Sequence, residues 1–453
     1  MNLTVNNSSS QKVNIAELSQ KSKDTGRIIC VENRLYIKDD NGIFQSVPDL
    51  KAICKVRGIF NDPKLTHDTA SAIIKNLKTD PDINVSSSEL LHERYIRLKD
   101  GVWDIENKRL MKVFSNDMKF SRFVDADLSR IPSGESEALL KFCRNVFGED
   151  KFQEKMAVLY ELIGYCISDI QGVKQAVFLI GPPDCGKSVI LELIRRLVGK
   201  ENVSSVSLAN FGGKFNTYSM YNKVLNICGE IPSGTMPGAA LDMFKSITGR
   251  DQIELEQKGQ QPFQTVLNVK LIFAGNTLPT FSNRDGTNSL IQRMHLLIFD
   301  KSVNEKNIDK HILDKLWDER DKIVYYSLLA LSKFVKNDMN FITTDDEKKM
   351  LDSLRIMANP FEHFVKSQLE LGKDYYTYIT DVYKAYNEFA AEEALPDIRR
   401  TEFRKSMLML NGVSLAGKKR LDGKSNKACY KGVRVKKLYD NRQDTCLYDE
   451  EVQ

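Results

Sequence analysis

The period of apolar positions changes several times along the chain, and each change predicts a different kind of element. Between Gly26 and about Lys112, short apolar runs such as "RIICVENRLYIK" and "RYIRLKDGVWDI" predict strands, with one helical run near 66–78. "LKDGVWDIENKRL" sets Asp-Gly turn chemistry between two alternating segments and predicts a hairpin. From Ser133 to Ile170 the period becomes helical: Leu140, Cys143 and Phe147 recur at helical spacing, as do Met156, Leu159, Tyr160 and Ile163. From Ala176 to about Asp300 strand-like and helix-like runs alternate: "AVFLI", "VILELIRRLV", "KVLNICGEI", "LDMFKSIT", "VKLIFAGN", "MHLLIF". That rhythm predicts a parallel sheet with crossover helices. "NIDKHILDKLWDERDKIVYYSLLALSKFVKN" and "TTDDEKKMLDSLRIM" predict further helices, and "MANPF" (357–361) marks a boundary. Beyond it, Phe403, Met407 and Leu410 form a stripe at i, i+4, i+7. No internal repeat interrupts this order.

Composition narrows the picture. A length of 453 residues suggests about three domains, and 42% hydrophobic with 28% charged residues is ordinary globular usage. The longest apolar runs fall far short of the ~18 residues that span a bilayer. "MNLTVNNSSSQKVN" lacks the apolar core of a secretory signal. A cytoplasmic protein without a membrane partner is the expectation. Eight cysteines (30, 54, 143, 166, 185, 228, 429, 446) show no C-x-x-C spacing, which argues against both a disulfide framework and a zinc site. Net charge is +5, but Pro396–Arg442 carries fourteen Lys/Arg against four acids, an excess of ten. The remainder therefore sums to −5. This asymmetry points to a polyanion-binding end on a mildly acidic body.

The candidate chemistry lies in Gly181-Pro182-Pro183-Asp184-Cys185-Gly186-Lys187-Ser188, which fits the phosphate-loop pattern G-x-x-x-x-G-K-S between a predicted strand and a predicted helix. Its glycines let backbone N–H groups face phosphate oxygens. Lys187 adds charge near the β- and γ-phosphates, and Ser188 is placed to ligand Mg2+. A nucleotide with Mg2+ is thus the expected ligand. Cys185 reads as a small filler, with a reactive thiol as the other reading. Glu230, after the strand "KVLNIC", offers a carboxylate for Mg2+ or water. Asn276, ending "VKLIFAGN", offers an amide for the γ-phosphate and the attacking water. Arg284 and Arg293 are candidates for stabilising transition-state charge from a neighbouring subunit.

Phosphate loop, "CGEIP", "FKSITGRD", "KLIFAGNTLP" and "QRMHLLIF" follow one another in the order of superfamily 3 helicases. The set most resembles the phage and plasmid primase–helicase group, which includes the poxvirus primase-helicase. "YIRLKDGVWDI" and "FCRNVFGEDKFQEKMAVLYELIGYCISD" resemble the helical domain preceding the motor in that group. "NPFEHFVKSQLE" through "RRTEFRKSMLMLNGV" resembles its C-terminal winged helix, so the likeness covers most of 30–437. It implies an α/β AAA+-like P-loop ATPase core, an N-terminal α+β/helical domain and a C-terminal winged-helix domain. The expected division is a mobile arm (1–25), N-terminal domain (26–150), ATPase domain (151–305), helical connector (306–356), winged helix (357–440) and acidic tail (441–453). It also implies a homo-hexameric ring moving 3′ to 5′ on single-stranded DNA. Lys187 and Ser188 would be the Walker A residues, Glu230 the Walker B acid, Asn276 the sensor, and Arg293 the finger acting in trans. The chain departs from the pattern twice: Gly229 stands beside a single acid, and the finger reads Gln292-Arg293 rather than two arginines.

"DQIELEQKGQQPFQTVLNVKL" reads as a hairpin with Lys258 at its tip and Gly259 in its turn. The resemblance places such a hairpin in the ring channel, against the DNA backbone. Lys245 matches a family position facing the channel or the neighbour's nucleotide. Arg400 and Arg404 flank the apolar stripe on an expected recognition face. "GKKRLDGKSNKACYKGVRVKK", with Lys418, Lys419 and Arg420, suits a wing on phosphates. The leading function is a replicative DNA helicase acting on single-stranded and forked DNA, with origin duplex DNA as a further substrate for an initiator. A separate primase or single-strand-binding protein would be its partner. Two alternatives stand beside it: a primase–helicase, and an ATP-gated DNA-binding switch or packaging ATPase without unwinding. Asp125-Ala-Asp127 is the one acidic pair in the N-terminal region resembling a priming metal site, without a supporting His or Lys cluster.

Overall fold

The two residues that split "RIICVENRLYIK" are Glu32 and Asn33, at φ 49° and 61°. Consecutive left-handed residues match the twist of a two-residue hairpin. The run is therefore two strands, β1 (Ile28–Val31) and β2 (Arg34–Lys38), rather than one, and β3 (Phe44–Val47) completes an antiparallel sheet of order β1-β2-β3. The computed structural model describes residues 14–60, 65–115, 117–213, 215–231, 235–259, 261–281, 287–303, 309–393, 395, 398–421 and 426–436. Within the stretch expected to be a mobile arm, Ile15–Asp24 form a helix, α1. Asn14 caps it by accepting from the Glu17 N–H, and Leu18 is buried. Ile15 and Leu18, three apart, put apolar groups on one face, enough to dock a short polar helix. α2 (Asp49–Phe60) and α3 (His67–Thr79) complete a small core around Leu35, Val56, Ile73 and Leu77.

A second antiparallel sheet, β4 (Tyr95–Leu98), β5 (Gly101–Asp104) and β6 (Arg109–Met111), contains the predicted hairpin, but the turn is Lys99-Asp100, one residue earlier than the Asp-Gly pair, because Gly101 opens β5 opposite Leu98. It shares one core with the residues around the phosphate-loop segment: Trp103, Val124 and Leu139 cluster with Leu179, Ile227 and Ile272. α4 (Glu137–Phe147) and α5 (Phe152–Ile167) lead into the main sheet. α5 is buried on nearly every side, as befits a central helix.

The main elements are β7 (Ala176–Ile180), α6 (Lys187–Val198), β8 (Val203–Ser204), β9 (Leu225–Cys228), β10 (Thr235–Met236), α7 (Gly238–Gly249), β11 (Ile253–Leu255), β12 (Phe263–Thr265), β13 (Lys270–Gly275), β14 (Thr280–Phe281), α8 (Thr287–Ile291) and β15 (Met294–Ile298). Five form one sheet of order β15-β7-β13-β9-β8, parallel throughout. β7 and β13 are buried at every position, the pattern of strands covered on both faces. The protein is thus a mixed α/β chain with a parallel five-stranded sheet, as the alternation predicts. α9 (Ile312–Asp318) and α10 (Arg320–Lys336) pack on the same core. α11 (Asp345–Ala358) starts on a buried polar seam. There Glu347 accepts from the Leu296 N–H and meets His295 Nδ1 at 3.0 Å, and Asp346 lies 2.8 Å from the fully buried Lys155.

The chain divides into two units: residues up to Thr280 with Arg293–Glu347, and Phe281–Gln292 with residues from Lys348 onward. The second unit contains α12 (Pro360–Gln368), β16 (Leu369–Tyr378), α13 (Ile379–Glu392), α14 (Arg400–Leu408), β17 (Ser414–Lys419) and β18 (Lys427–Val435). Its strands pair antiparallel in the order β16-β18-β17 over a core of Phe364, Tyr386, Phe403, Met407 and Tyr430. Among the described residues no helix is long and apolar enough to cross a membrane.

Candidate nucleotide site and basic surfaces

The apolar strand β7 stops at Ile180, and α6 starts at Lys187. Between them Asp184 (φ 55°) and Gly186 (φ 88°) turn the backbone through the left-handed region. A Cβ on Gly186 would stand 2.6 Å from the Phe142 ring, so conformation and packing both require glycine there. The loop is fixed from behind. Ser302 Oγ donates to Pro183 O at 2.8 Å, and the Val303 N–H donates to Asp184 O at 3.0 Å. Cys185 is 1% exposed and packs into the main core, which favours the filler reading. Lys187 Nζ donates to Gly181 O and Pro182 O, both at 2.7 Å, and lies 3.3 Å from Cys185 Sγ. It also reaches Asn276 Oδ1 at 3.4 Å. The lysine is therefore held across the mouth of the loop, at the N-terminus of α6, where free N–H groups favour an anion.

Asn276 follows β13, the strand beside β7. Glu230 stands two residues past β9, the next strand out. Their loops are pinned together, because the space a Cβ on Gly275 would fill lies 2.9 Å from Ile231 Cβ. Adjacent parallel strands thus end in the phosphate loop, Asn276 and Glu230 in turn, on the carboxyl rim where open α/β sheets bind ligands. Ser188 and Glu230 both stand on this rim, both exposed, one carboxylate and one hydroxyl suited to a hard cation. Arg293 is elsewhere. It immediately precedes β15, whose Met294 pairs with Ala176, and Ala176 N–H donates to Arg293 O at 2.8 Å. Five strand residues, about 16 Å, separate it from the rim of its own chain. Arg284 lies outside the described residues.

Sequence reasoning missed the wall beside the loop. A cavity of about 310 Å³ is lined by Lys141, Phe142, Asn145 and Val146 of α4, by loop residues 184–189, and by Val303, Asp309 and Ile312. Its volume suits a nucleoside, at the small end of ligand pockets of roughly 300–1,000 Å³. The helical period identified α4 as a helix, but its buried face is Leu139, Phe142, Cys143, Val146 and Phe147, with Leu140 only half-buried. No local signal ties that face to a loop far along the chain.

β11 and β12 form the expected hairpin, with Ile253 opposite Thr265 and Leu255 opposite Phe263. Lys258 is exposed beyond the last pair, and Gly259 adopts φ 81°. Lys245, on α7, is half-buried with its Nζ 3.8 Å from Asp242. In the second unit Arg400 and Arg404 are exposed on α14, while Phe403 and Met407 beside them are buried and Leu410 packs on the same core. The Arg400 guanidinium lies 5.8 Å from the Tyr383 ring centre. Lys418, Lys419 and Arg420 are exposed at the end of β17, Lys419 Nζ lying 3.5 Å from the Tyr376 ring centre. Asp422 and Gly423, an Asp-Gly pair expected to turn the wing, lie outside the described residues.

A model for a family of unknown function, DUF5906, matches residues 179–293, from within β7 to Arg293. No curated protein matches the chain. Among solved structures, the apo C-terminal region of NrS-1 (305–718) superposes with a TM-score of 0.55 at 10% identity, covering 93% of this chain and 100% of that one. The A form of the apo NrS-1 C-terminal region gives 0.54 at 12% identity with the same coverage. At such identity the likeness establishes a shared fold across nearly the whole chain.

Proposed function

We propose that the protein is an ATP-dependent DNA helicase of the superfamily 3 primase–helicase group, with an AAA+-like P-loop core and a winged-helix DNA-binding end. The observation that carries the ATPase reading is the rim on which Lys187 and Asn276 meet at 3.4 Å beside the Glu230 loop. Backbone N–H groups of the loop cradle the phosphates, and the 310 Å³ cavity takes the nucleoside. Lys187 exchanges its carbonyl partners for β- and γ-oxygens. Glu230 orients the attacking water and accepts its proton, and Asn276 holds that water in line. Ser188 and Glu230 would hold Mg2+, which would supply neutralising charge on the phosphates. Arg293 lies too far along its strand to serve its own rim, so it acts on a neighbouring copy's nucleotide. Lys258 contacts DNA phosphates from the hairpin, and Lys245 on α7 faces the channel or the neighbouring copy's nucleotide.

The helix–strand–helix–helix–strand–strand order and β16-β18-β17 pairing of the second unit support the winged-helix reading. Arg400, Arg404, Lys418, Lys419 and Arg420 are its exposed cations. Priming has less support. The Asp125 carboxylate lies 3.8 Å from Arg320 Nη2 and 3.9 Å from Lys99 Nζ, and the Asp127 carboxylate accepts from the Ser129 N–H, so both are engaged locally. The test is unwinding of a forked duplex with ATP. Wild type should separate strands, and Lys187→Ala should lose hydrolysis and unwinding by at least about 100-fold. A wild-type chain that hydrolyses ATP but never separates strands would overturn the helicase reading in favour of the switch.

A further inference from the structure

A larger cleft, about 910 Å³, lies in the first unit away from the phosphate loop. One wall is the β1–β2 turn with Arg34, together with the start of α2. The other is β12 with Phe263, and the 3-10 turn at Thr217–Met220 followed by Tyr221. Three half-buried rings run along it. Tyr218 and Tyr221 have centroids 6.0 Å apart at 31°, and Tyr221 and Phe263 are 5.2 Å apart at 68°. The Arg34 guanidinium sits 5.2 Å from the Tyr221 ring centre and donates to the Tyr218 hydroxyl at 2.8 Å. The Tyr221 hydroxyl donates to Glu32.

The charges balance. Arg34 and Lys78 face Glu32 and Asp49, and Lys78 Nζ lies 2.7 Å from Asp49. The cleft therefore has no field with which to capture a free phosphate. It offers ring faces and the amides of Asn33, Gln257 and Gln264. Sequence-tolerant stacking of unpaired bases uses such surfaces, with phosphates held by cations alongside. Those cations are supplied next door: Gln257 precedes Lys258, the exposed lysine of the hairpin.

We infer that this cleft is a base-stacking subsite for single-stranded nucleic acid, in which Tyr218 and Phe263 receive unpaired bases, the Arg34–Tyr221 pair forms the backstop, and the hairpin holds the adjoining phosphates. The inference rests on the DNA reading of the hairpin. Its ligand is a polynucleotide strand rather than a mononucleotide, because affinity needs both parts.

The test is anisotropy of a fluorescein-labelled oligo-dT on the full chain across a salt series. A Tyr218→Leu/Phe263→Leu double variant, which keeps bulk but removes ring faces, should bind about 10- to 100-fold more weakly. Its slope of log affinity against log salt should match wild type. Lys258→Ala should instead flatten that slope by about 0.7 per phosphate lost. Photocrosslinking wild type to an oligonucleotide bearing 5-iodouracil needs no variant to fold and should label Tyr218, Tyr221 or Phe263. If the double variant binds like wild type, or crosslinks map only elsewhere, while Lys258→Ala still weakens binding, the cleft proposal falls and the hairpin reading stands. If Lys258→Ala changes nothing while crosslinks map to the cleft, the hairpin reading falls and the two-part site proposed here falls with it. A double variant with altered self-association and unchanged oligonucleotide affinity makes the cleft a seat for a second copy, which also overturns the proposal.

Discussion

Gly186 is constrained twice, by its φ of 88° and by the Phe142 ring that would meet a Cβ at 2.6 Å. The phosphate-loop pattern made the first constraint legible in the sequence. The second was hidden, because Phe142 belongs to a helix that nothing local connects to the loop. Gly186→Ala should cost about 1–3 kcal/mol of stability from backbone strain and overpacking. It should weaken nucleotide binding at least about tenfold, checked by thermal melts and nucleotide titration. Cys185 is constrained differently. It is buried at 1% and touches the Lys187 ammonium, so a smaller side chain leaves the lysine's carbonyl partners in place. Cys185→Ala should keep ATP hydrolysis within about threefold. Thiol reagents should modify the exposed Cys54 well before Cys185, as peptide mapping would show.

Among elements, β13 joins two unlike environments. At its carboxyl end Gly275 lets Ile231 close in where a Cβ would stand only 2.9 Å from Ile231 Cβ, bringing the Glu230 loop beside Asn276. Gly275→Ala should displace that loop, lowering kcat about 10-fold or more while nucleotide affinity changes little, because the phosphate loop itself is untouched. At the other end Lys270 is buried, its ammonium donating to Tyr165 O at 2.5 Å and Ser168 O at 2.6 Å at the end of α5. Burial, aided by the Arg122 charge, pushes its pKa down to about 7 from 10.5. Between those values the unfolded chain binds the extra proton, so stability rises with pH by up to about 1.4 kcal/mol per unit. Below pH 7 the cost of the buried charge is fully present, and by pH 10.5 it is gone. Thermal melts from pH 7 to 9.5 should show this slope in wild type, and Lys270→Met should lose it. "VKLIFAGN" announced a buried strand with a polar end. Nothing in it marked the lysine as buried, since packing against a helix terminus leaves no trace in periodicity.

For the whole molecule, alternation of strand and helix over 176–300 was enough to foresee a parallel sheet. The order β15-β7-β13-β9-β8 was not legible, because spacing along a chain does not say which strands neighbour in space. The same limit hid the aromatic cleft, whose walls come from residues near 34, 220 and 263. It also hid the docking of α1, because two apolar residues in a polar stretch give a weak period. The proposed ring has a direct test. Lys187→Ala and Arg293→Ala chains, each inactive alone, should regain partial ATPase when mixed, since a ring then contains interfaces with both residues intact. Absence of rescue across mixing ratios would place all of the chemistry within one chain. The five residues of β15 give that arrangement a further meaning. Arg293 precedes the strand, and just beyond its far end Phe299 lies against Gly181, with Ser302 and Val303 gripping Pro183 and Asp184. On the ring reading, the arginine that senses the neighbour's γ-phosphate and the floor of the chain's own phosphate loop are the two ends of one stiff rod. Hydrolysis next door then pulls on this chain's loop through a single strand, and the order in which successive subunits fire is set without any domain having to swing.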